Sequence, residues 1–135
     1  MLNSAIDDTN CIGGFVFGYP HLLPKLQGNE LRKIFEHVVE KIKRCILCLD
    51  LNGVTLGSYS VISSVIPLVD ILHLNNEELN LILPEIRGDV EEKAKEIIKR
   101  GAAIVCVTLG DKGCVVTCGD DERFAKVSGR YKVVL

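Results

Sequence analysis

Three short groups of polar residues and glycines stand directly after apolar runs that are typical of buried β-strands. They contain Asp50 and Asn52, then Asn75 and Glu78, and then the turn at 108–113. Carboxylate and amide oxygens are ligands of hydrated Mg²⁺, and glycine-rich turns allow a phosphate to approach the bare backbone. Residues of these types at strand ends have two interpretations, a site for a metal ion and a phosphorylated ligand or ordinary turns and helix caps.

The turn at 108–113 has two interpretations. Residues 104–108 and 115–118 each predict a strand, and Gly110 and Gly113 bracket the polar residues between them. One interpretation is a β-hairpin with a polar tip, since glycine supplies the positive φ that tight turns require. The other is a strand end whose backbone is open to a phosphate or a ribose. Taken alone, the pattern favours the hairpin.

A helix predicted directly before this strand favours the second interpretation, a strand end open to a ligand. Asp89 as N-cap and Glu92 three residues later have the spacing of a capping box, and Gly101 ends the helix. A helix that leads straight into an apolar strand is half of a βαβ unit. In open α/β sheets, ligands bind beyond the carboxyl ends of the strands, where the turn at 108–113 would lie.

The other two groups also have a structural explanation beside the functional one. Asn75 is a competent N-cap and Glu78 completes an amide version of the capping box, which accounts for both residues without a ligand. The functional alternative is that this amide and carboxylate hold a hydrated magnesium ion at a strand end. Asp50 and Asn52 are equally compatible with an active site and with a simple turn.

Strand and helix patterns alternate along the rest of the chain. Strands are predicted at 11–17, 45–49 and 69–74, with helices from Asn29, at 58–66 and from Asn75. Candidate edge strands follow at 124–127 and 131–135. The alternation predicts a three-layer α/β fold with a mostly parallel sheet and an antiparallel hairpin at its end.

The composition is that of one globular domain, with 135 residues of which 47% are hydrophobic and 25% charged. A net charge of −2 without a basic stripe argues against nucleic acid as a partner. No apolar run reaches the roughly 18 residues of a membrane span, and the amino terminus carries no visible targeting signal. We therefore expect a cytoplasmic protein that does not bind membranes.

Six cysteines raise the question of a metal site. Cys45 and Cys48, together with Cys114 and Cys118, resemble on paper the four thiolates of a zinc site. However, Cys45 and Cys48 lie in an apolar run typical of a strand, where positions i and i+3 face opposite sides. Free, buried thiols are therefore the prediction.

Four of these segments occur in an order that resembles a known family. They are Gly18-Tyr19-Pro20, Asp50-Leu51-Asn52, Ile71-Leu72-His73-Leu74-Asn75-Asn76-Glu77-Glu78 and Val107-Thr108-Leu109-Gly110-Asp111-Lys112-Gly113. The chain resembles the middle of a ribokinase-type (PfkB) carbohydrate kinase, in which Asn-x-x-Glu is a metal and phosphate motif and Thr-Leu-Gly-x-Lys-Gly a nucleotide-binding turn. The resemblance covers nearly the whole chain and implies a ribokinase-like fold.

The resemblance also implies roles for single residues. Asn75 and Glu78 would help to position Mg²⁺ and the ATP phosphates, Glu78 through water. The residues implied to line the ribose and phosphates are Thr108, Gly110 and Gly113, with Lys112 nearby as a charge. Asp50 and Asn52 would face the acceptor sugar or nucleoside. Leu51 and Gly53 replace the proline and arginine usual in that second motif, which leaves the substrate class open.

The family is roughly twice as long as this chain, so residues 1–135 are expected to form one partial kinase domain. The parts without a counterpart are an amino-terminal sugar site with its lid and a carboxyl-terminal Asp-Thr-x-Gly-Ala-Gly-Asp motif that supplies the anion hole and the catalytic base. We therefore expect a fragment of an ATP-dependent sugar or nucleoside kinase, a phosphotransferase, that is inactive as supplied. The alternative is a non-catalytic homologue that binds a nucleotide or a partner, and a third hypothesis is an α/β scaffold whose loops are merely turns. Exposed sheet edges predict marginal stability or self-association.

Overall fold

The computed structural model describes residues 13–42 and 45–119. The segment at 1–10 and the predicted strands at 124–127 and 131–135 lie outside the described residues. Within them, no helix is both long and apolar enough to span a bilayer.

Five strands form one sheet in the order of the sequence, β1-β2-β3-β4-β5. Strands β1 to β4 pair in parallel, and β5 pairs antiparallel with β4. Their bounds are Gly14–Gly18, Ile46–Asp50, Ile71–Asn75, Ile104–Thr108 and Cys114–Cys118. The predicted α/β fold, with a mostly parallel sheet and a terminal antiparallel hairpin, is thereby confirmed.

Three α-helices connect the parallel strands: α1 (Asn29–Lys41), α2 (Asn76–Ile82) and α3 (Val90–Lys99). Helix α1, predicted from Asn29, presents one apolar face, on which Leu31, Phe35 and Val38 are fully buried. Sequential strands joined by right-handed crossovers place their connecting helices on one side of a sheet. In agreement, the buried apolar residues of all three helices belong to one hydrophobic cluster.

Helices α2 and α3 begin with the capping boxes that the sequence predicted. The Asn75 side chain accepts a hydrogen bond from the Glu78 backbone N–H, and the Glu78 side chain accepts one from the Asn75 N–H. Asp89 and Glu92 exchange the same pair of bonds at α3. Each box satisfies two backbone donors that a helix start would otherwise leave unpaired.

The helix predicted at 58–66 is wrong. The chain there forms two separate 3-10 helical turns, Ser58–Val61 and Ile66–Leu68. Serine, tyrosine and β-branched residues have low helix propensity, and Pro67 stands at the start of the second turn, where its missing N–H costs nothing. Burial of the apolar side chains Ile62, Val65 and Ile66 in the core replaces regular helical bonding as the source of order.

The two faces of the sheet differ. Alternate residues such as Leu49, Leu72 and Val105 point into the helical side and are buried. On the opposite side, Val16 is 68% and Val116 is 51% exposed. Among the described helices none packs on that second face, so this part of the chain supplies the sheet and one of the helical layers of the predicted three-layer arrangement.

Candidate functional site

A cleft of about 660 Å³ opens at the carboxyl ends of β3 and β4. These strands are parallel neighbours, and Asn75 at the end of β3 is paired in register with Thr108 at the end of β4. The strand pairing therefore brings together two motifs that lie far apart in the sequence. The cleft is lined by Asn75, Asn76, Glu77, Val90, Thr108, Leu109, Gly110 and Lys112.

The capping box uses one side-chain oxygen of Asn75 and one of Glu78 as hydrogen-bond acceptors. Asn75 Oδ1 accepts from the Glu78 N–H at 2.8 Å, and Glu78 Oε2 accepts from the Asn75 N–H at 2.9 Å. The Asn75 side-chain amide nitrogen and the second carboxylate oxygen of Glu78 are not used by these bonds. Asn75 lines the cleft, whereas Glu78 is 8% exposed and does not line it.

The turn between β4 and β5 has the backbone conformation that its glycines permit. Gly110 has φ +64° and Gly113 has φ +93°, and the Leu109 N–H donates to the Gly113 carbonyl oxygen at 2.8 Å. The turn is the tip of an antiparallel hairpin, which confirms the first of its two interpretations, and Gly110 and Lys112 also line the cleft. Gly113 is exposed and does not line it.

Four lining residues were not predicted: Asn76, Glu77, Val90 and Leu109. Among them, Asn76 carries a buried side-chain oxygen, Oδ1, without a hydrogen-bond partner. An unpaired buried acceptor is costly in the absence of a donor. A ligand or water that donates a hydrogen bond in the cleft would remove this cost.

The oxygen atoms available near the cleft determine whether a metal ion could be held by the protein alone or only together with water and phosphates. Within the described parts of the chain, no group of three or more histidine, cysteine or acidic side chains converges to hold a metal ion. Mg²⁺ commonly binds through one or two protein groups, several waters and substrate phosphates. One amide and one carboxylate, at Asn75 and Glu78, fit a hydrated magnesium shared with phosphates and do not fit a cage made by the protein alone.

Asp50 and Asn52 are at another place on the sheet. Asp50 ends β2 and its Oδ1 lies 2.5 Å from Nδ1 of His73 on β3, its partner in the strand register. Neither Asp50 nor Asn52 lines the cleft, and Asn52 is exposed. The pairing with His73 was missed because both residues were taken singly. Alternation and register together would have placed them on one face.

His21 follows β1 in the 3-10 turn Pro20–Leu22. Its Nε2 is 3.3 Å from the Ser58 carbonyl oxygen, and its Nδ1 is buried without a partner. Burial lowers the pKa of His21, and the hydrogen bond with Ser58 and the negative charge of Glu78 oppose that shift. Burial therefore favours the neutral imidazole over the charged one.

This shift predicts a pH dependence of stability. Because the pKa of His21 in the folded chain lies below the ordinary value of 6.5, His21 takes up a proton at a higher pH in the unfolded chain than in the folded chain. The stabilising contribution is full above the ordinary pKa and is lost as the pH falls through it toward the folded pKa. We expect the free energy of unfolding of the wild type to fall more on acidification than that of His21→Gln, measured by urea titration. Parallel pH curves for the two proteins would contradict this expectation.

The exposure of the cysteines corrects the prediction of buried thiols at two positions and agrees with the predicted opposite facing of Cys45 and Cys48. Cys114 and Cys118 are exposed, so buried thiols were wrong for these two. They lie on the second face of β5, which has few described neighbours. Cys45 is buried in the core, whereas Cys48 is half-buried on β2. The predicted opposite facing of that pair accounts for the difference.

Comparison with known proteins gives a consistent family. The sequence pattern of the pfkB family carbohydrate kinases matches residues 30–134. No curated protein sequence matches the chain significantly.

Solved structures resemble the fold. Ribokinase from Thermotoga maritima superposes with a TM-score of 0.60 at 14% identity over 88% of this chain and 35% of its own. A mutant phosphofructokinase-2 from Escherichia coli gives 0.66 at 16% identity over 88% and 38%. Fructokinase from Vibrio cholerae, solved with fructose, ADP and calcium, gives 0.60 at 16% identity over 86% and 39%. The chain thus spans little more than a third of the length of these three structures.

Proposed function

Because the chain belongs to the PfkB family of carbohydrate kinases, we propose that it provides the nucleotide-binding part of an ATP-dependent sugar or nucleoside kinase. One observation carries the proposal: two motifs separated in the sequence, Asn75 with its helix and Thr108 with its glycine turn, line the same cleft. A volume near 660 Å³ is in the range of small-molecule sites. Neighbouring strand ends are also where open α/β sheets bind ligands.

In this proposal the β4–β5 turn receives the nucleotide. Thr108 offers a hydroxyl, Gly110 a backbone without a side chain and Lys112 a cation. A Cβ at Gly110 would meet no protein atom within 4 Å, so the space beside this backbone is free for a ligand. The ammonium of Lys112 and the carboxylate of Glu77 balance each other, so the cleft alone does not neutralise a triphosphate. Nucleotide binding should therefore require Mg²⁺.

Asn75 and Glu78 would hold the hydrated magnesium ion with the phosphates. When bound, such an ion neutralises charge that develops on the transferred phosphoryl group. The capping box fixes both side chains at the helix start before any ligand arrives. Pre-ordered groups of this kind lower the entropic cost of binding.

Phosphoryl transfer also needs a group that orients the acceptor hydroxyl and takes its proton. The one carboxylate that lines the cleft within the described residues is Glu77, which is exposed at the start of α2. Asp50, proposed for the acceptor side, is paired with His73. We propose that this chain alone binds Mg-ATP and does not transfer phosphate at a measurable rate. The expected result is no ADP release above the uncatalysed rate with fructose, ribose or adenosine.

A non-catalytic homologue that binds a partner is the second candidate function. The second sheet face, which no described helix covers and on which Val16 and Val116 are exposed, favours it, since exposed apolar surface can mark a protein interface. Unlike the nucleotide-binding proposal, this candidate predicts that Mg-ATP leaves the stability of the chain unchanged.

Two cap substitutions test the nucleotide site. Asn75→Ala and Asp89→Ala each remove the N-cap of a capping box and should each cost about 1 kcal/mol of stability. The two variants are matched in structural damage because both residues cap a helix in the same way. They differ in that Asn75 lines the cleft and Asp89 does not. Only Asn75→Ala is expected to lose part of the rise in thermal midpoint that millimolar Mg-ATP produces in the wild type.

Equal Mg-ATP shifts in both variants would mean that Asn75 is only a helix cap. The absence of any shift in the wild type, with a cooperative melt retained, would overturn the proposed nucleotide site itself. ATP with EDTA in place of Mg²⁺ serves as the control for the metal requirement.

A further inference from the structure

Asp50 and His73 form a pair of polar side chains that the proposed nucleotide cleft does not use. Asp50 Oδ1 lies 2.5 Å from His73 Nδ1, and both side chains are partly exposed. A carboxylate only accepts hydrogen bonds, so Nδ1 carries the proton and Nε2 of the neutral ring is an acceptor. Among the described residues, neither side chain has another hydrogen-bond partner. The second carboxylate oxygen and Nε2 are therefore available to a ligand that donates hydrogen bonds.

The space beside this pair is open. Gly18 at the end of β1 is paired in register with Asp50, and a Cβ at Gly18 would meet no protein atom within 4 Å. Asn75, which lines the cleft, follows His73 by two residues along β3, about 7 Å away on the same face. A ligand that lies over Gly18 would therefore contact the pair and extend toward the cleft.

Apolar side chains lie at the rim of this space. Tyr19 is exposed, and its N–H donates to the Asp50 carbonyl oxygen at 2.8 Å. With φ +60°, it is the one non-glycine residue with a positive φ among the residues described, and such conformations cluster at functional sites. Leu22 is also exposed and lies against Gly53, three residues after Asp50. The loops after β1 and β2 thus place an aromatic and an aliphatic side chain beside the polar pair.

Together these residues form what we call the β1–β3 subsite: Gly18, Tyr19, Leu22, Asp50 and His73. The loops that build it contain no strong cation, because the chain has no lysine or arginine before Lys25 or between Arg44 and Arg87. A phosphate on the ligand would meet the Asp50 carboxylate without a lysine or arginine from these loops to bind it. The subsite therefore favours an uncharged ligand that has both hydroxyl groups and an apolar part.

We propose that the β1–β3 subsite binds an uncharged nucleoside, the acceptor of the phosphoryl group in the proposed function. The ribose hydroxyls donate hydrogen bonds to Asp50 and to His73 Nε2, and the flat base covers Tyr19 and Leu22. A plain sugar satisfies the polar pair but leaves the apolar rim uncovered, so it binds more weakly. The role as acceptor rests on the proposed function, whereas binding to the subsite does not require a nucleotide in the cleft.

The test is a titration of the full chain with adenosine, D-ribose and adenosine 5′-monophosphate. EDTA replaces Mg²⁺, so that the proposed nucleotide cleft is not occupied. Carbon–proton NMR spectra of the histidine rings report on the subsite, because the chain has three histidines and His73→Gln identifies the His73 signal. We expect adenosine to shift this signal saturably. D-Ribose and the monophosphate should each bind at least about tenfold more weakly, a difference of the size that one lost contact produces.

Two glycines of β1 provide matched variants. Gly18 and Gly14 are both exposed, and a β-branched residue suits a strand. Gly18→Val fills the open space beside Asp50 and should abolish adenosine binding. Gly14→Val, four residues away and with only an ordinary contact for its Cβ, should bind adenosine like the wild type. Asp50→Asn keeps the His73 signal and should weaken binding about tenfold, which provides a test that does not depend on the glycine variants.

Three results would overturn the proposal. One is a His73 signal that millimolar adenosine does not shift, and another is an equal affinity for adenosine and either of the other two ligands. The third is adenosine binding that survives in Gly18→Val and is lost in Lys112→Ala, which would place the nucleoside in the cleft. Adenosine binding without stabilisation by Mg-ATP would count against the proposed nucleotide cleft alone. Stabilisation by Mg-ATP without adenosine binding would count against the β1–β3 subsite alone.

Discussion

Replacing Gly110 by valine is expected to abolish the stabilisation of the chain by Mg-ATP. The residue has φ +64°, a conformation that costs a side-chain-bearing residue roughly 1–2 kcal/mol. A valine there would also place its methyl groups in the space beside the turn, which no protein atom occupies within 4 Å of a Cβ. The loss of binding should therefore exceed the effect of backbone strain alone.

Gly57→Val is the matched control for this substitution. Gly57 has φ +71°, and a Cβ there also meets nothing within 4 Å, but Gly57 does not line the cleft. Both variants should lose similar stability in the absence of ligand. At a ligand concentration one hundred times the dissociation constant, the wild type and Gly57→Val should gain about 2.7 kcal/mol, and Gly110→Val none.

Thermal melts with and without Mg-ATP, supported by titration calorimetry, measure this difference. Equal gains in Gly110→Val and Gly57→Val would place the nucleotide somewhere other than the β4–β5 turn. A gain missing from both would show that the cleft responds to backbone strain outside its lining, and would remove the argument for direct contact at Gly110.

Local patterns predicted those parts of the fold that local chemistry determines. The capping boxes at Asn75 and Asp89 depend on residues three apart, and the structure contains both. The strand at 104–108 is a continuous apolar run, as expected of a strand in a parallel sheet. The segment 58–66 was mispredicted because its apolar side chains are buried in the core while its backbone forms 3-10 turns instead of α-helical hydrogen bonds.

Properties that depend on strand register were harder to predict. The contact between Asp50 and His73 requires β2 and β3 to be adjacent and in one register. The exposure of Cys114 depends on which face of the sheet the described helices cover. A single sequence gives the alternation along each strand but not the order of the strands, so these neighbours became visible only in the fold.

The same reasoning applies to the cleft. Thr108, Gly110, Lys112 and Asn75 were identified from their motifs, and all four line it. Asn76 was missed because it stands at an unspecified position of the Asn-x-x-Glu motif, and Val90 because it forms no motif with its neighbours in sequence. Their position follows from helices α2 and α3 both starting near the ends of β3 and β4. The signal that could have indicated Asn76 is its polarity directly after the cap residue.

Replacing Phe35 by alanine is expected to cost more stability than any other substitution considered for this chain. The ring is fully buried and joins α1 to β1 through edge contacts with Phe15 and Phe17, at centroid distances of 5.9 and 6.2 Å. Removal of a buried phenylalanine costs about 3–5 kcal/mol. Whole domains are stable by only about 5–15 kcal/mol, so the variant should be near its unfolding threshold.

Val39→Ala provides the control on the same helix, because Val39 is 53% exposed and surface substitutions usually change stability by less than about 0.5 kcal/mol. Phe35→Leu should be intermediate, since it retains most of the buried apolar volume. It keeps the comparison measurable if the alanine variant does not fold. Urea unfolding followed by circular dichroism gives all three values. Equal midpoints for Phe35→Ala and Val39→Ala would mean that α1 does not pack against β1 through this ring. Other contacts of the hydrophobic core would then have to hold α1 on the sheet.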